Sequence, residues 1–111
     1  MDWIITLPST SWSKHREQLQ TVENGQNVIC FAIPKIPEEM EMGDRLCLLW
    51  KGKVKGWINI SYFGRMRQCY CRTTDKHLPE GLYVQVSGSF YEYFKGKKMR
   101  GFKGIKKYID N

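Results

Sequence analysis

Short apolar runs separated by turn-forming residues recur along the chain, which is the pattern of a mainly β protein. The most apolar run covers residues 45–50, where five of six consecutive positions are apolar. Because it leaves no polar face, we expect a strand that is covered on both sides or closed into a barrel. Lys51-Gly52-Lys53 follows as the turn of a hairpin, and Gly56 in the returning strand, residues 54–63, allows a bulge or a close backbone approach.

One segment early in the chain has the spacing of a helix. Trp12, Leu19 and Val22 fall on one face, while the polar residues between them face water. Serine and threonine side chains at positions 9–13 can cap the free backbone N–H groups at the helix start, and Asn24-Gly25 ends it. We therefore expect one helix, which extends to about Val22.

Further strand-like runs cover residues 3–7, 27–33, 66–72, 82–87, 90–94 and 104–109. The chain lacks the repeated crossover helices that an open parallel sheet needs. The expected fold is therefore α+β and mainly β: a small mixed β-barrel of six or seven strands with one early helix. No repeat, low-complexity tract or linker divides the chain, so we expect residues 1–111 to form a single domain.

Composition narrows the class of protein. Of the 111 residues, 41% are apolar, which is typical of a folded chain. The first residues lack a basic segment and a signal-length apolar run, and no stretch reaches the roughly 20 apolar residues of a membrane span. We therefore expect a cytoplasmic protein with no membrane partner.

The cysteines and histidines do not have the spacing of a metal site. Cys69 and Cys71 form a C-x-C, whereas structural zinc sites use more widely spaced pairs with matching histidines or cysteines. His15 and His77 lie far apart, and neither forms a cluster with a cysteine. We expect reduced thiols, no bound metal and no cofactor.

Charge is distributed unevenly along the chain. Residues 1–50 hold four Lys/Arg and seven Asp/Glu, whereas residues 51–111 hold fourteen Lys/Arg and four Asp/Glu, so the formal charge of +7 arises from the second part. A field of this kind attracts polyanions, of which nucleic acid is the commonest in a cytosol. The alternative is a solvated lysine surface that only keeps the protein soluble.

The end of the sequence interleaves basic, aromatic and glycine residues. Cations can neutralise phosphates, aromatic faces can stack on unpaired bases, and glycine lets the backbone approach the nucleic-acid strand. The candidate nucleic-acid-binding residues here are Tyr91, Tyr93, Lys97, Lys98, Arg100, Phe102 and Lys103, and on the preceding hairpin and strands they are Lys51, Lys53, Lys55, Arg65, Arg67 and Arg72. The alternative is a lysine-rich hairpin with some of these aromatic side chains in the core.

Two motifs and the order of the elements resemble the PUA-like pseudobarrel superfamily, which includes PUA, ASCH, EVE and YTH-type domains. The motifs are Met42-Gly43-Asp44-Arg45-Leu46, before the buried strand, and Val54-Lys55-Gly56-Trp57-Ile58 in the returning strand. We expect Asp44 to be structural and to bond neighbouring backbone N–H groups. The resemblance implies recognition of RNA, DNA or a modified base in a cleft beside the first strand and helix.

By this resemblance, the loop of Ser9, Thr10, Ser11 and Trp12 lies at the cleft. Its hydroxyls can bond a base edge or a phosphate, and the indole of Trp12 can stack on a base. In the alternative, Trp12 is the first core residue of the helix and the serines only cap it.

Two other classes of function stay open. Some ASCH-type proteins are small hydrolases that act on RNA or a modified nucleoside, with a Gly-x-Lys-x-x-Glu signature; here Ser13-Lys14-His15-Arg16-Glu17 lacks the glycine. The i, i+3 spacing of Lys14 and Glu17 is typical of an exposed helix pair, so no catalytic residue is assigned. A protein-interaction module, with the acidic segment 38–41 and the basic face meeting opposite charges, is the third hypothesis.

The function we expect is the binding of nucleic acid, either RNA or single-stranded DNA. No recognition helix for a major groove is visible in the sequence, and aromatic residues outnumber Asn and Gln in the basic region. The sequence does not choose between the two nucleic acids, and it leaves the oligomeric state open.

Overall fold

The structure is a computed structural model that describes residues 1–26, 28–67, 69–71 and 76–109. In chain order its elements are β1 (Asp2–Thr6), α1 (Trp12–Glu23), β2 (Ile29–Ala32), β3 (Arg45–Trp50), β4 (Lys53–Met66), β5 (Cys69–Cys71), β6 (Lys76–Leu78), β7 (Gly81–Glu92) and β8 (Ile105–Lys107).

Six of the strands form one mixed sheet in the order β2-β7-β4-β3-β1-β8, which curls into a half-barrel. β1 runs parallel to β3, and the other neighbouring pairs are antiparallel. β5 and β6 pair separately as a small second sheet. The predicted fold, mainly β with one early helix, is confirmed.

The central strand β3 is covered on both faces, as its unbroken apolar run predicts. Leu46 and Leu48 lie in the first core cluster, which α1 closes with Leu19 and Val22. Cys47 and Leu49 point to the opposite face and lie in the second core cluster, with Ile4, Val54 and Tyr108. Each fully buried leucine stabilises the fold by roughly 1.5–3 kcal/mol relative to an exposed one.

The helix begins and ends close to the predicted positions, but its start is built differently. Ser11 is the N-cap residue, yet it makes no side-chain hydrogen bond to the helix backbone. Its Oγ instead lies 3.2 Å from Oγ of Ser13. The prediction that hydroxyls cap this helix is therefore wrong, and the hydroxyls near the helix start remain at the surface. Asn24 forms the C-cap, and Gly25 follows with a φ of 72°.

Two predicted strand boundaries differ from the structure. The segments 82–87 and 90–94 belong to one strand, β7, because the 14-residue β4 is long enough to pair along it through two register shifts. Of the run predicted at 66–72, Met66 ends β4 and Cys69–Cys71 form β5, while residues 68 and 72 lie outside the described residues. Strand β6 was not predicted at all.

A bulge in β4 sets the direction of Lys55. The pairing of β3 with β4 shifts register between Leu48 and Leu49, and Leu48 then faces Gly56. A Cβ atom added at Gly56 would overlap the backbone carbonyl of Tyr91, so this position requires glycine. The predicted bulge is confirmed. It leaves Val54 in the second core cluster and turns Lys55 toward α1.

No helix in the described part of the chain combines the length and apolar character needed to cross a membrane.

Candidate nucleic-acid interface

Three aromatic side chains meet where α1 begins beside the end of β3. The ring centroid of Trp12 lies 5.9 Å from that of Trp50 and 6.0 Å from that of Phe90, with the rings tilted or edge-on. Trp12 is the first residue of α1, Trp50 ends β3 and Phe90 lies in β7. We call these three residues the aromatic cluster. All three are partly buried against the first core cluster.

A hydrogen bond ties the 8–11 loop to the aromatic cluster. The indole N–H of Trp50 donates to the backbone carbonyl of Thr10 over 2.8 Å. Nε2 of the buried His15 lies 3.0 Å from the carbonyl oxygen of Pro8, which holds the other end of the same loop against α1. Ser9 and Ser11 are exposed and Thr10 is half-buried. The loop is therefore fixed by its backbone, and its hydroxyls are accessible.

Two lysines of the β3–β4 hairpin lie over the tryptophan rings. Nζ of Lys55 is 4.9 Å from the ring centroid of Trp12 and 5.7 Å from that of Trp50. Nζ of Lys51 is 5.0 Å from the centroid of Trp50. Cations at these distances are attracted by the electron-rich ring faces, by about 0.5–1 kcal/mol at exposed sites. The cluster thus carries two cations of its own.

The indole nitrogen of Trp12 is buried and has no hydrogen-bond acceptor among the described residues. Leaving a buried donor unpaired costs roughly 1–3 kcal/mol. The neighbouring Trp50, by contrast, has its donor satisfied. The aromatic cluster therefore offers one unused donor.

Backbone hydrogen bonds hold the end of the chain against this hairpin. The N–H of Val54 donates to the carbonyl of Lys97, and the N–H of Met99 donates to the carbonyl of Gly52. Lys53 and Lys98 face each other in an antiparallel bridge. A Cβ atom at Gly96 would overlap the carbonyl of Val54, which explains why a glycine stands there. The segment 95–103, which we call the basic segment, thus lies beside the hairpin.

Most cations of this region have no acidic partner. The ion pairs formed within the described ranges join Arg16 to Glu92, Lys107 to Glu39 and the Met1 ammonium to Asp44. None of them includes a cation of the hairpin or the basic segment, and those that are exposed are Lys51, Lys53, Lys95, Lys97, Lys98, Arg100 and Lys103. Among the described residues, no carboxylate neutralises their charge. We call the group formed by Lys51, Lys53, Lys55, Lys97 and Lys98 the hairpin surface.

Three of the predicted cations belong to neither the hairpin nor the basic segment. Arg65 lies twelve residues after Lys53, near the other end of the 14-residue β4, and Arg67 lies just beyond this strand. They therefore lie toward the other end of the sheet. Arg72 lies outside the described residues.

The predicted aromatic residues have different environments. Tyr91 is 53% exposed, whereas Tyr93 and Phe102 are half-buried and pack against the second core cluster. The backbone N–H of Phe102 donates to Oγ1 of Thr6, and Nζ of Lys106 lies 4.2 Å from its ring centroid. The rings of Tyr93 and Phe102 thus anchor the chain on either side of Lys97 and Lys98.

Sequence reasoning did not place Trp50 or Phe90 in the candidate site. For Trp50 the sequence contained a signal. Residues two apart on a strand point to the same face, so Trp50 shares the face of Leu46 and Leu48, which are typical core residues. Phe90 belongs to the aromatic residues of the C-terminal region, but its position against Trp12 depends on the register shifts between β4 and β7.

The residues considered for hydrolysis do not line the same groove. Lys14 and Glu17 are both exposed on α1. Glu17 lines a groove of about 540 Å³ between α1 and the end of β7, and Lys14 does not line it. The ion pair of Arg16 and Glu92 crosses this groove. The acidic segment 38–41 contributes Glu39 to an ion pair with Lys107.

Asp44 has a structural environment. Its carboxylate accepts hydrogen bonds from the indole N–H of the buried Trp3 and from the backbone N–H of Glu41, each over 2.9 Å. The Met1 ammonium lies 3.2 Å from its other oxygen. Burial alone would raise the pKa of Asp44, but these donors favour the charged form and hold the pKa below its ordinary value. The predicted bond to a neighbouring backbone N–H is present.

Comparison of the chain with family models, with curated proteins and with solved structures gave no match in any of the three.

Proposed function

We propose that this protein binds single-stranded nucleic acid, RNA or DNA, through the hairpin surface and the aromatic cluster beside it. One observation carries the proposal: Lys55 and Lys51 lie over the faces of Trp12 and Trp50, next to further exposed lysines. Proteins that bind single strands combine cations that track phosphates with aromatic faces that stack on bases. Here both kinds of group lie at one end of the sheet.

The charges of the hairpin surface support a polyanion as the ligand. None of its lysines has a carboxylate partner among the residues described, so phosphates can take those positions without breaking an existing ion pair. Each phosphate contact releases condensed counterions, which favours binding at low salt. The field of residues 51–111, with fourteen cations and four anions, attracts the strand from a distance.

The position of Lys55 suggests how a base is accommodated. The rings of Trp12 and Trp50 contact each other, so a base stacks on an exposed face and not between them. A phosphate that pairs with Lys55 draws its ammonium off the indole faces, which then accept the base. The hydroxyls of Ser9, Thr10 and Ser11 supply donors for a base edge.

The resemblance to PUA-like pseudobarrels agrees with this position, because that superfamily binds nucleic acid or a modified base beside the first strand and helix. We therefore propose a PUA-like nucleic-acid-binding protein of the cytoplasm, with a modified base as a possible ligand of the aromatic cluster.

The test compares two charge reversals of equal size at opposite ends of the sheet. Binding of fluorescently labelled single-stranded RNA and DNA is measured by anisotropy over a range of salt concentrations. We expect Lys53→Glu/Lys97→Glu to weaken binding at least tenfold and to lower the salt slope by roughly 1.4, which corresponds to two phosphate contacts. Arg65→Glu/Arg67→Glu is the matched control and should retain most of the affinity. Equal losses in both variants, or no binding by the unmodified protein, would show the proposal to be wrong.

A further inference from the structure

A second aromatic group lies on the face of the sheet opposite α1. The rings of Trp57 and Tyr91 are stacked, with centroids 4.3 Å apart and planes 19° apart. The guanidinium of Arg45 lies 4.3 Å from the centroid of Trp57. Because β3 and β7 flank β4 on opposite sides, Arg45 and Tyr91 approach Trp57 from opposite sides. We call these three residues the outer stack.

Only part of the outer stack packs against the core. Trp57 is half-buried against the second core cluster, but Tyr91 is 53% exposed and Arg45 is also exposed. Tyr91 therefore has the side of its ring that faces away from Trp57 available for contact. Arg45 has no carboxylate partner in the part of the chain that the structure describes. The stack is held in place by three neighbouring strands, so its geometry exists before any ligand binds.

The outer stack is continuous with the hairpin surface along β4. Trp57 lies four residues after Lys53, which is about 13 Å along the strand. Over this distance the partner of β4 changes from the basic segment, at Lys98, to β7, at Tyr91. Exposed Lys53 at the start of β4 and the exposed ring of Tyr91 beside Trp57 therefore lie along the same strand.

We propose that the outer stack is a second contact for the same nucleic-acid strand, in which a base stacks on the exposed face of Tyr91 and Arg45 contacts a phosphate. This inference rests on the proposed function. Base–aromatic stacking is sequence-tolerant, so this contact adds affinity for any strand long enough to reach it. A paired base exposes no face, so the site takes a single strand. The positive charge along β4 favours an anionic occupant over an apolar protein segment, and the exposed ring of Tyr91 favours a strand that carries bases over an acidic protein segment.

The experiment measures how affinity depends on the length of the strand. Oligothymidylates of about four and about twelve nucleotides, within the range of site sizes of single-strand-binding folds, are titrated against the full chain. The unmodified protein should bind the long strand more tightly. Tyr91→Ala should lose about five- to 150-fold for the long strand and nothing for the short one, because stacking of one base is lost. Arg45→Gln should lower the salt slope for the long strand alone.

Tyr62→Ala is the matched control, because Tyr62 is a tyrosine of similar exposure, 45%, that lies on β4 and does not belong to the outer stack. It should behave like the unmodified protein with both strands. If long strands bind and Tyr91→Ala binds them normally, the inference is wrong and the proposed function stands. Equal losses for Tyr91→Ala and Tyr62→Ala would also overturn it. If no strand of either length binds, the proposed function itself is wrong, and binding of a protein partner by the unmodified chain would then identify the occupant.

Discussion

Lys53 and Lys98 oppose each other across an antiparallel bridge, so two like charges lie side by side at the junction of the hairpin and the basic segment. Residues directly opposite in such a pair have neighbouring side chains on the same face, and like charges there are destabilising. The folded protein tolerates this repulsion, which a bound phosphate would relieve. A substitution that removes the repulsion within this pair should therefore raise the stability of the free protein and weaken its binding of nucleic acid.

Lys98→Glu should stabilise the free protein while weakening its binding of nucleic acid. The substitution replaces repulsion with attraction, and because the pair is exposed the gain is at most about 1 kcal/mol. Thermal unfolding at low and at high salt checks this, since screening should remove the gain. Lys98→Gln should fall between the two proteins in both measurements. A loss of stability at low salt in Lys98→Glu would contradict the prediction.

The two tryptophans of the aromatic cluster should respond differently to the same substitution. Trp50→Phe removes a donor that bonds the carbonyl of Thr10, whereas Trp12→Phe removes a donor that has no acceptor among the described residues. Both changes delete a similar amount of ring. Trp50→Phe should therefore cost about 1–2 kcal/mol more than Trp12→Phe. The free energy of unfolding in urea measures the difference, and equal costs would show that the two indole nitrogens are in equivalent states.

Lys51→Gly should remove one charge of the hairpin and keep the geometry of its turn. Among the described residues that are not glycine, Lys51 is the one with a positive φ, 45°. Gly52 follows it with a φ of 79°. Two such residues form the tight hairpin turn whose twist matches the strands, and glycine adopts this conformation without strain. We expect the substitution to leave stability unchanged or to raise it by about 1 kcal/mol, because the strain relieved exceeds the entropy cost of glycine.

The same variant should bind single strands more weakly, with a lower salt slope, because one cation of the hairpin surface is lost. Lys51→Ala, which loses the charge but keeps the strain, is the control for binding. It should match Lys51→Gly in affinity but not in stability.

The central architecture could be predicted from the sequence because a few local features determine it. The unbroken apolar run of β3 needs cover on both faces, and Gly56 marks the bulge. The grouping of the cations in space could not be predicted in full, because the positions of charged residues in a sequence do not give the distances between them. Lys53 and Lys98 meet through backbone hydrogen bonds of the basic segment, which no side-chain pattern encodes. Arg65 lies on the same strand as Lys53 and still belongs to the other end of the sheet.

The hydrogen bond between Trp3 and Asp44 should make stability depend on pH in the acid range. The pKa of Asp44 is lower in the folded protein than in the unfolded chain, where it is about 3.9. The folded state therefore binds a proton less readily, and the stability that Asp44 contributes is fully present above about pH 4 to 5. It is lost as the pH falls through the pKa of the folded state.

Asp44→Asn should reduce this dependence, because the variant has no carboxylate to titrate at this position. At pH 7 it should cost about 2 kcal/mol, since an amide replaces the charged acceptor of Trp3 and the backbone N–H of Glu41. As the pH falls through the pKa of the folded state, the two proteins should approach each other in stability, because protonation of Asp44 removes the same advantage from the unmodified chain. Glu38→Gln, which removes an exposed carboxylate, should keep the original pH dependence. Urea unfolding between pH 2 and 7 measures all three, and a constant difference between Asp44→Asn and the unmodified protein over that range would show that the charge of Asp44 does not stabilise the turn.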